Sequence, residues 1–249
     1  TYISTIHYVM EACAENNIPL MILDRPNPNG MYVDGPILEM EHQSFVGMHP
    51  IPILHGLTVA ELAQMINGEK WLKNEIQCEL KIIKNKNYNH NDSYSLPIKP
   101  SPNLPNDLSI ALYPSLCLFE GTVISVGRGT EKPFQQIGHP LLTEFEHTFT
   151  PVSMPGSSVH PPFEDEKCYG LDFESKDFED GISLKYLIEF YKSFPEKDEF
   201  FNSFLTKLAG TESLRQQIEA GFSEEEIKMS WQAGLKEYKE LREKYLIYE

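Results

Sequence analysis

Positive charge is scarce in this sequence. Only 21 Lys and Arg stand against 37 Asp and Glu, a formal net charge of −16 over 249 residues. Such a chain repels phosphate backbones and anionic bilayers, which argues against a nucleic-acid binder and against docking on an anionic membrane surface. No run of about 18 apolar residues occurs, so no segment reads as a membrane-spanning helix. Cysteine is sparse as well. Cys13, Cys78, Cys117 and Cys168 stand alone, without the spacing of a zinc knuckle or a thioredoxin-like site, and they read as buried free thiols. His42, His49 and His55 do not match zinc-ligand spacing either. Neither a P-loop nor a dinucleotide fingerprint is found, and no Gly-x-Ser-x-Gly elbow. No metal and no cofactor is expected. A basic segment followed by an apolar one, the mark of a signal peptide, is also missing.

What is present is enough for a real core. Hydrophobic residues make up 41% of the chain, too many for a disordered acidic tail. Proline and histidine divide the sequence: 17 of the 18 Pro precede residue 163, and all eight His precede residue 161. The first part is loop-rich and carries the unusual side chains. The remainder reads as three or four helices with solvated charged faces. Residues 2–17 have the apolar spacing of a helix, already established at the first residue, so the chain is expected to be the C-terminal part of a longer polypeptide. A short apolar strand over 18–23 follows and ends in Asp24-Arg25-Pro26-Asn27-Pro28-Asn29-Gly30. Helix, buried strand and polar loop form the unit of a doubly wound parallel sheet, whose ligands sit beyond the carboxyl ends of its strands. The partner strands are expected to precede Thr1. Thr58 and Glu61 form a capping box that opens a helix to about Asn67. Residues 76–83 read as a strand, Pro105-Asn106-Asp107 is expected to open a short helix toward Tyr113, and short strands are expected at 118–119, 123–126 and 168–173. Ser223 and Glu226 cap the last helix, whose Ile227, Trp231, Leu235 and Tyr238 read as a core stripe.

Arginine usage marks candidate sites. Residues 1–160 hold two Arg, Arg25 and Arg128, both in turn-forming sequence. A guanidinium grips a carboxylate or phosphate as a planar fork, which an ammonium cannot do. Each Arg could equally staple its own loop to a nearby acid, Asp24 or Glu120. Glycines on both sides of Arg128 would let the backbone approach a ligand closely. Glu120 lies between an apolar run and a Gly turn, where burial would raise its pKa toward that of a general acid, unless it caps a turn or pairs with Arg128. Glu61 already has its capping role. His55 precedes the capped helix and reads as structural or ligand-facing. Asn103, in the rigid Pro100–Pro105 loop, could bond a sugar hydroxyl or hold the turn.

Several segments in order carry a family resemblance. They are Asp24-Arg25-Pro26-Asn27-Pro28, Asp34-Gly35-Pro36, Ser44-Phe45-Val46-Gly47, Pro50-Ile51-Pro52 with His55-Gly56, and Pro100–Pro105. Leu118-Phe119-Glu120-Gly121-Thr122, Gly127-Arg128-Gly129-Thr130 and Tyr245-Leu246-Ile247-Tyr248 follow. Together they resemble the exo-β-N-acetylmuramidase (NamZ-type) family, first catalogued as a domain of unknown function. The resemblance covers essentially the whole chain. It implies an α/β fold, α+β overall: the C-terminal part of a Rossmann-like domain in residues 1–40, and a second α+β domain in 41–249, helical from about residue 175. It implies a periplasmic or secreted bacterial glycoside hydrolase, without cofactor, that releases terminal N-acetylmuramic acid from the non-reducing end of peptidoglycan fragments. Such an enzyme has its site between the two domains. Glu120 is then the catalytic candidate, with Asp24, Arg25, Asn27, His55, Asn103 and Arg128 expected around one polar pocket as substrate-binding residues. Arg25 or Arg128 would read the lactyl carboxylate. The chain departs from the family in lacking its Glu-His-Gly motif and in having Val126 where many relatives have Glu. The competing reading is a sugar-binding or scaffold domain without turnover. An amidase or esterase would need an elbow or a zinc set that the sequence lacks.

Overall fold

A computed structural model of the chain describes residues 2–174 and 181–248. The chain divides into two compact units: Thr1–Tyr94 together with Ser230–Glu249, and Ser95–Met229. The division expected after residue 40 falls inside the first unit, between two strands that pair with each other. The expected start of the helical region at about 175 lies outside the described residues.

In the first unit, α1 (Tyr2–Glu15) buries His7 and Met10 on one face and packs on α2 (Val59–Gly68). It stops just short of Asn17, whose left-handed backbone (φ 53°) turns the chain into β1 (Leu20–Leu23). A hairpin follows, β2 (Val33–Ile37) antiparallel to β3 (Pro52–His55). Thr58 then caps α2, its side chain accepting from the Glu61 amide while Glu61 accepts from the Thr58 amide. A cap of this kind contributes about 1 kcal/mol. Ala60, Leu62, Ala63, Met65 and Ile66 are fully buried, so α2 is the centre of this core rather than a surface helix. Burying each of the three larger side chains is worth about 1.5–3 kcal/mol. The chain then enters β4 (Leu80–Ile83), which lies parallel to β1 with Leu20 opposite Leu80. The expectation about β1 is corrected in one respect: a partner strand lies downstream of it. The strand predicted from residue 76 starts only at Leu80. Along β1, Ile22 is buried, while Met21 and Leu23 are 52% and 58% exposed.

In the second unit, the helix expected to open at Pro105-Asn106-Asp107 is α3 (Asp107–Leu116), which Asn106 caps through Ser109. Two expected strands are absent. Residues 117–121 form a 3-10 turn, and 122–126 make only isolated bridges, Thr122 with Phe201 and Ser125 with Gly138. Cys117, Leu118 and Phe119 are all buried, and a short, wholly buried run has no period that would distinguish helix from strand. β5 (Gln136–His139) and β6 (His147–Phe149) flank β7 (Cys168–Asp172) in an antiparallel sheet. Then come α4 (Lys185–Ser193), α5 (Lys197–Phe200), α6 (Phe204–Ala209) and α7 (Ser213–Glu219). The core here is aromatic, with Phe119, Phe145, Phe190, Phe194 and Phe200 in edge and tilted contacts 4.8–5.8 Å apart. Such pairs add about 0.5–1.5 kcal/mol to area burial. α8 (Glu224–Glu243) starts in this unit and its later turns belong to the first. Ser223 and Glu226 cap it, and Ile227, Trp231, Leu235 and Tyr238 are buried as a core stripe. No described helix is long and apolar enough to cross a membrane.

Candidate functional site

Glu120 and Arg128 meet in the second unit. Arg128 Nη2 donates to Glu120 Oε2 at 2.6 Å, and the guanidinium lies 5.3 Å from the centre of the buried Phe134 ring. Both line a cavity of about 370 Å³ whose other walls include Phe119, Val123, Ile124, Val126 and Phe163. Burial in these apolar walls raises the Glu120 carboxyl above its usual pKa, although Arg128 pulls the other way. A carboxyl group with a raised pKa beside a cation in a partly apolar cavity is suited to proton transfer. Phe163 has a left-handed backbone (φ 58°) and packs edge-on against His139 with centroids 4.6 Å apart. A bulky residue in that region costs about 1–3 kcal/mol and occurs where surroundings demand it.

The glycines around Arg128 serve the loop itself. Gly127 and Gly129 have φ of 75° and 79°. A Cβ on Gly127 would lie 2.8 Å from the Lys132 carbonyl, and one on Gly129 2.6 Å from Pro161. The close approach expected toward a ligand is thus made to the chain's own loops. Asn103 belongs to this unit but not to the cavity wall. Its Nδ2 donates to the Ser157 carbonyl, and its Oδ1 is buried without a partner among the described residues.

Three of the four candidates in the first unit come together at the start of α2. Asp24 accepts from the Ala60 amide at 3.0 Å and from the Tyr248 hydroxyl at 2.7 Å. Asn27 donates to the Leu57 carbonyl. His55 Nδ1 accepts from the Leu57 amide, and burial lowers the imidazole to about 4. That ring is neutral at pH 7, with its hydrogen on Nε2. Glu61 completes the cluster: beyond its cap it accepts from the Ile247 amide and pairs with His90 at 2.9 Å. Burial opposes ionisation of Glu61, but these hydrogen bonds together hold its pKa below the usual carboxylate value.

Arg25 is placed differently. Its Nη1 donates to the Asp24 carbonyl, and the side chain reaches into a second cavity, of about 610 Å³, with Lys86, Asn85, Asn87 and Tyr94. The sequence reading missed those residues. Their signal was an Asn-rich polar loop directly after a strand. The seven candidates therefore divide, Asp24, Arg25, Asn27 and His55 in one unit and Asn103, Glu120 and Arg128 in the other. Among the described residues one set of donors has the proximity for a metal ion: Glu39, Glu41 and His42, within 4.8 Å of one another. Both carboxylates are exposed, and nothing else points to an ion there.

Comparison with known proteins adds to this geometry. Residues 1–108 match the model of "Exo-beta-N-acetylmuramidase NamZ, N-terminal" and residues 111–248 that of "Exo-beta-N-acetylmuramidase NamZ, C-terminal". A Bacillus subtilis (strain 168) protein described as peptidoglycan beta-N-acetylmuramidase NamZ is 41% identical over 268 residues. That match takes in all of this chain, and the chain spans 64% of the relative's length. Two crystal structures of DUF1343 family proteins from Bacteroides fragilis NCTC 9343 superpose over the whole chain and 71% of their own. One has a TM-score of 0.97 at 48% identity, the other 0.84 at 26%. With both of its modules matched in order, and the Glu120–Arg128 and Asp24–Asn27 loops inside them, the chain belongs to the exo-beta-N-acetylmuramidase NamZ family.

Proposed function

We propose that the protein is an exo-acting glycoside hydrolase. It releases terminal N-acetylmuramic acid from the non-reducing end of peptidoglycan fragments, in the periplasm or outside the cell. The name of the Bacillus subtilis relative supports the substrate class. The observation that carries the reading is Glu120, a carboxyl group with a raised pKa in a partly apolar cavity large enough for a sugar ring. Glycoside cleavage ordinarily uses two carboxyl groups flanking the bond. Glu120 supplies the proton to the leaving oxygen. Among the described residues Glu120 is the one carboxylate on this cavity wall, so the reading takes the group that acts on the opposite sugar face from elsewhere in the protein.

The remaining candidates act on Glu120, on their own loops or on the substrate. Arg128 orients Glu120 and limits how far its pKa rises. Asp24, Asn27 and His55 fix the loops at the start of α2, and Asn103 offers an unpaired buried oxygen to a sugar hydroxyl or a water. The test is Glu120→Gln in the full-length enzyme, assayed on a chromogenic N-acetylmuramic acid glycoside. The amide keeps the shape and carries no transferable proton, so kcat is expected to fall about 10²–10⁴-fold with little change in KM. Full activity in this variant would overturn the assignment of the acid.

A further inference from the structure

We infer that Cys13 and Cys78 form an oxidative modification site, a dithiol that a small-molecule disulfide such as oxidised glutathione converts to an internal disulfide joining α1 to the entry of β4. The four cysteines are not alike. Cys78, Cys117 and Cys168 are buried, whereas Cys13 is half-buried, a departure from the four buried thiols that the sequence suggests. Cys13 lies in the last turn of α1 and packs against the core cluster that contains Cys78. The backbone fixes that meeting. The Cys13 carbonyl accepts from the Ile18 amide at 2.9 Å, and the nearby Leu20 amide donates at 2.8 Å to the carbonyl of Glu79, next to Cys78. From the other side Asn67 on α2 brackets Cys78. Its Oδ1 accepts from the Cys78 amide at 3.0 Å and its Nδ2 donates to the Cys78 carbonyl at 2.7 Å. The two sulfurs come within hydrogen-bonding reach of each other, and the Leu20 amide is also within reach of Cys78 Sγ.

Exposure and acidity divide the roles of the two thiols. Burial pushes the Cys78 thiol above its ordinary pKa, and a thiol that stays protonated is a poor first nucleophile. Cys13, half-open to solvent, attacks first. Its thiolate forms a bond to one sulfur of the small disulfide, whose S–S bond breaks and whose other half departs as a thiolate. Cys78 then loses its proton, with the Leu20 amide hydrogen favouring the charge that develops, and attacks Cys13 Sγ, expelling the second half. The protein gives up two electrons and two protons, and the small disulfide takes both and becomes two thiols. Cys117 and Cys168 are different: burial pushes each of them up to about 12, so they stay protonated at neutral pH. Outside the cytosol, where the protein is proposed to act, a pair such as Cys13 and Cys78 is kept as the disulfide. The bond closes the chain from residue 13 to residue 78, and the freedom it removes from the unfolded state stabilises the first unit.

The test equilibrates the full chain with oxidised or with reduced glutathione and maps proteolytic peptides by mass spectrometry. The oxidised protein is expected to yield one linked pair of peptides, carrying Cys13 and Cys78, and to keep two of its four thiols titratable in denaturant. It should melt about 5–10 °C above the reduced protein. Cys78→Ala leaves Cys13 without its partner, so one glutathione should remain on Cys13. Cys13→Ser should stop the oxidation altogether. Peptides linked through Cys117 or Cys168 would overturn the site. So would glutathione retained on Cys13 of the wild-type protein, or four free thiols after equilibration with oxidised glutathione. The peptide map is read on the wild-type chain, so its outcome stands even where a variant fails to fold. Oxidation of this pair is read without turnover, so the hydrolase reading stands or falls separately.

Discussion

Arg128 sits close enough to Glu120 to set its titration, and that gives a prediction with a definite sign. The guanidinium favours the ionised carboxylate and burial favours the neutral acid, with burial the larger effect. Arg128→Met removes the opposing charge, so the Glu120 pKa should rise further. A general acid works only while protonated, so the alkaline limb of the kcat/KM profile should move to higher pH. An unmoved limb would mean that Glu120 does not titrate in catalysis. The other candidates are more heavily committed to their own chain. Both Asp24 oxygens already accept hydrogen bonds, and His55 is held neutral with Nδ1 occupied. Their substitution should act first on the loops they hold.

Among the elements, the three-stranded sheet has the least room to change. Gly138 and Gly170 lie opposite each other where β5 and β7 pair. A Cβ on Gly170 would fall 1.8 Å from the Ile137 carbonyl oxygen. Gly170→Ala should therefore force the strands apart and cost about 3 kcal/mol, read as a lower denaturation midpoint in urea. A midpoint within error of wild type would show that the strands can shift freely. That glycine pair is invisible to a reading by hydrophobic period. Elements whose chemistry is local were legible in the sequence, such as α2 from Thr58 and Glu61, α3 from Asn106, and α8 from Ser223 and Glu226. The β2–β3 hairpin was not, because Gly35, Pro36 and Pro52 carry no local strand signal and the pairing that makes them strand comes from across the hairpin. The site follows the same rule. The Asp24–Asn27 loop showed itself through its own residues, whereas Lys86 and Asn87 needed the parallel pairing of β4 with β1, a long-range fact.

For the molecule as a whole, buried histidines govern the response to acid. Burial lowers His49 to about 3, and His55 and His139 to about 4, against about 6.5 for a free imidazole. Below pH 6.5 the unfolded chain binds protons that the folded one refuses, so stability rises with pH across that window and is lost as pH falls toward 3. Glu61, whose pKa is lowered, acts in the same direction. The Tm at 0.15 M salt should decline steadily from pH 7 to pH 4, and His49→Phe, which keeps an aromatic ring near Trp71, should flatten the decline. A constant Tm over that range would exclude these rings as buried and neutral. The acid-sensitive core of the first unit is also the part closed by residues 242–248, through Tyr248 on Asp24, the Ile247 amide on Glu61 and Arg242 on the Gly56 carbonyl. Ser95–Met229 forms its unit from one uninterrupted stretch, whereas Thr1–Tyr94 needs Ser230–Glu249 to complete its own. During synthesis, then, residues 95–229 can fold as soon as they have emerged, whereas residues 1–94 complete their unit only after 230–249 have followed. Until then the Arg25 loop lacks Tyr248, the tyrosine that anchors its neighbour Asp24, and the half-exposed face of β1 is open to a chaperone.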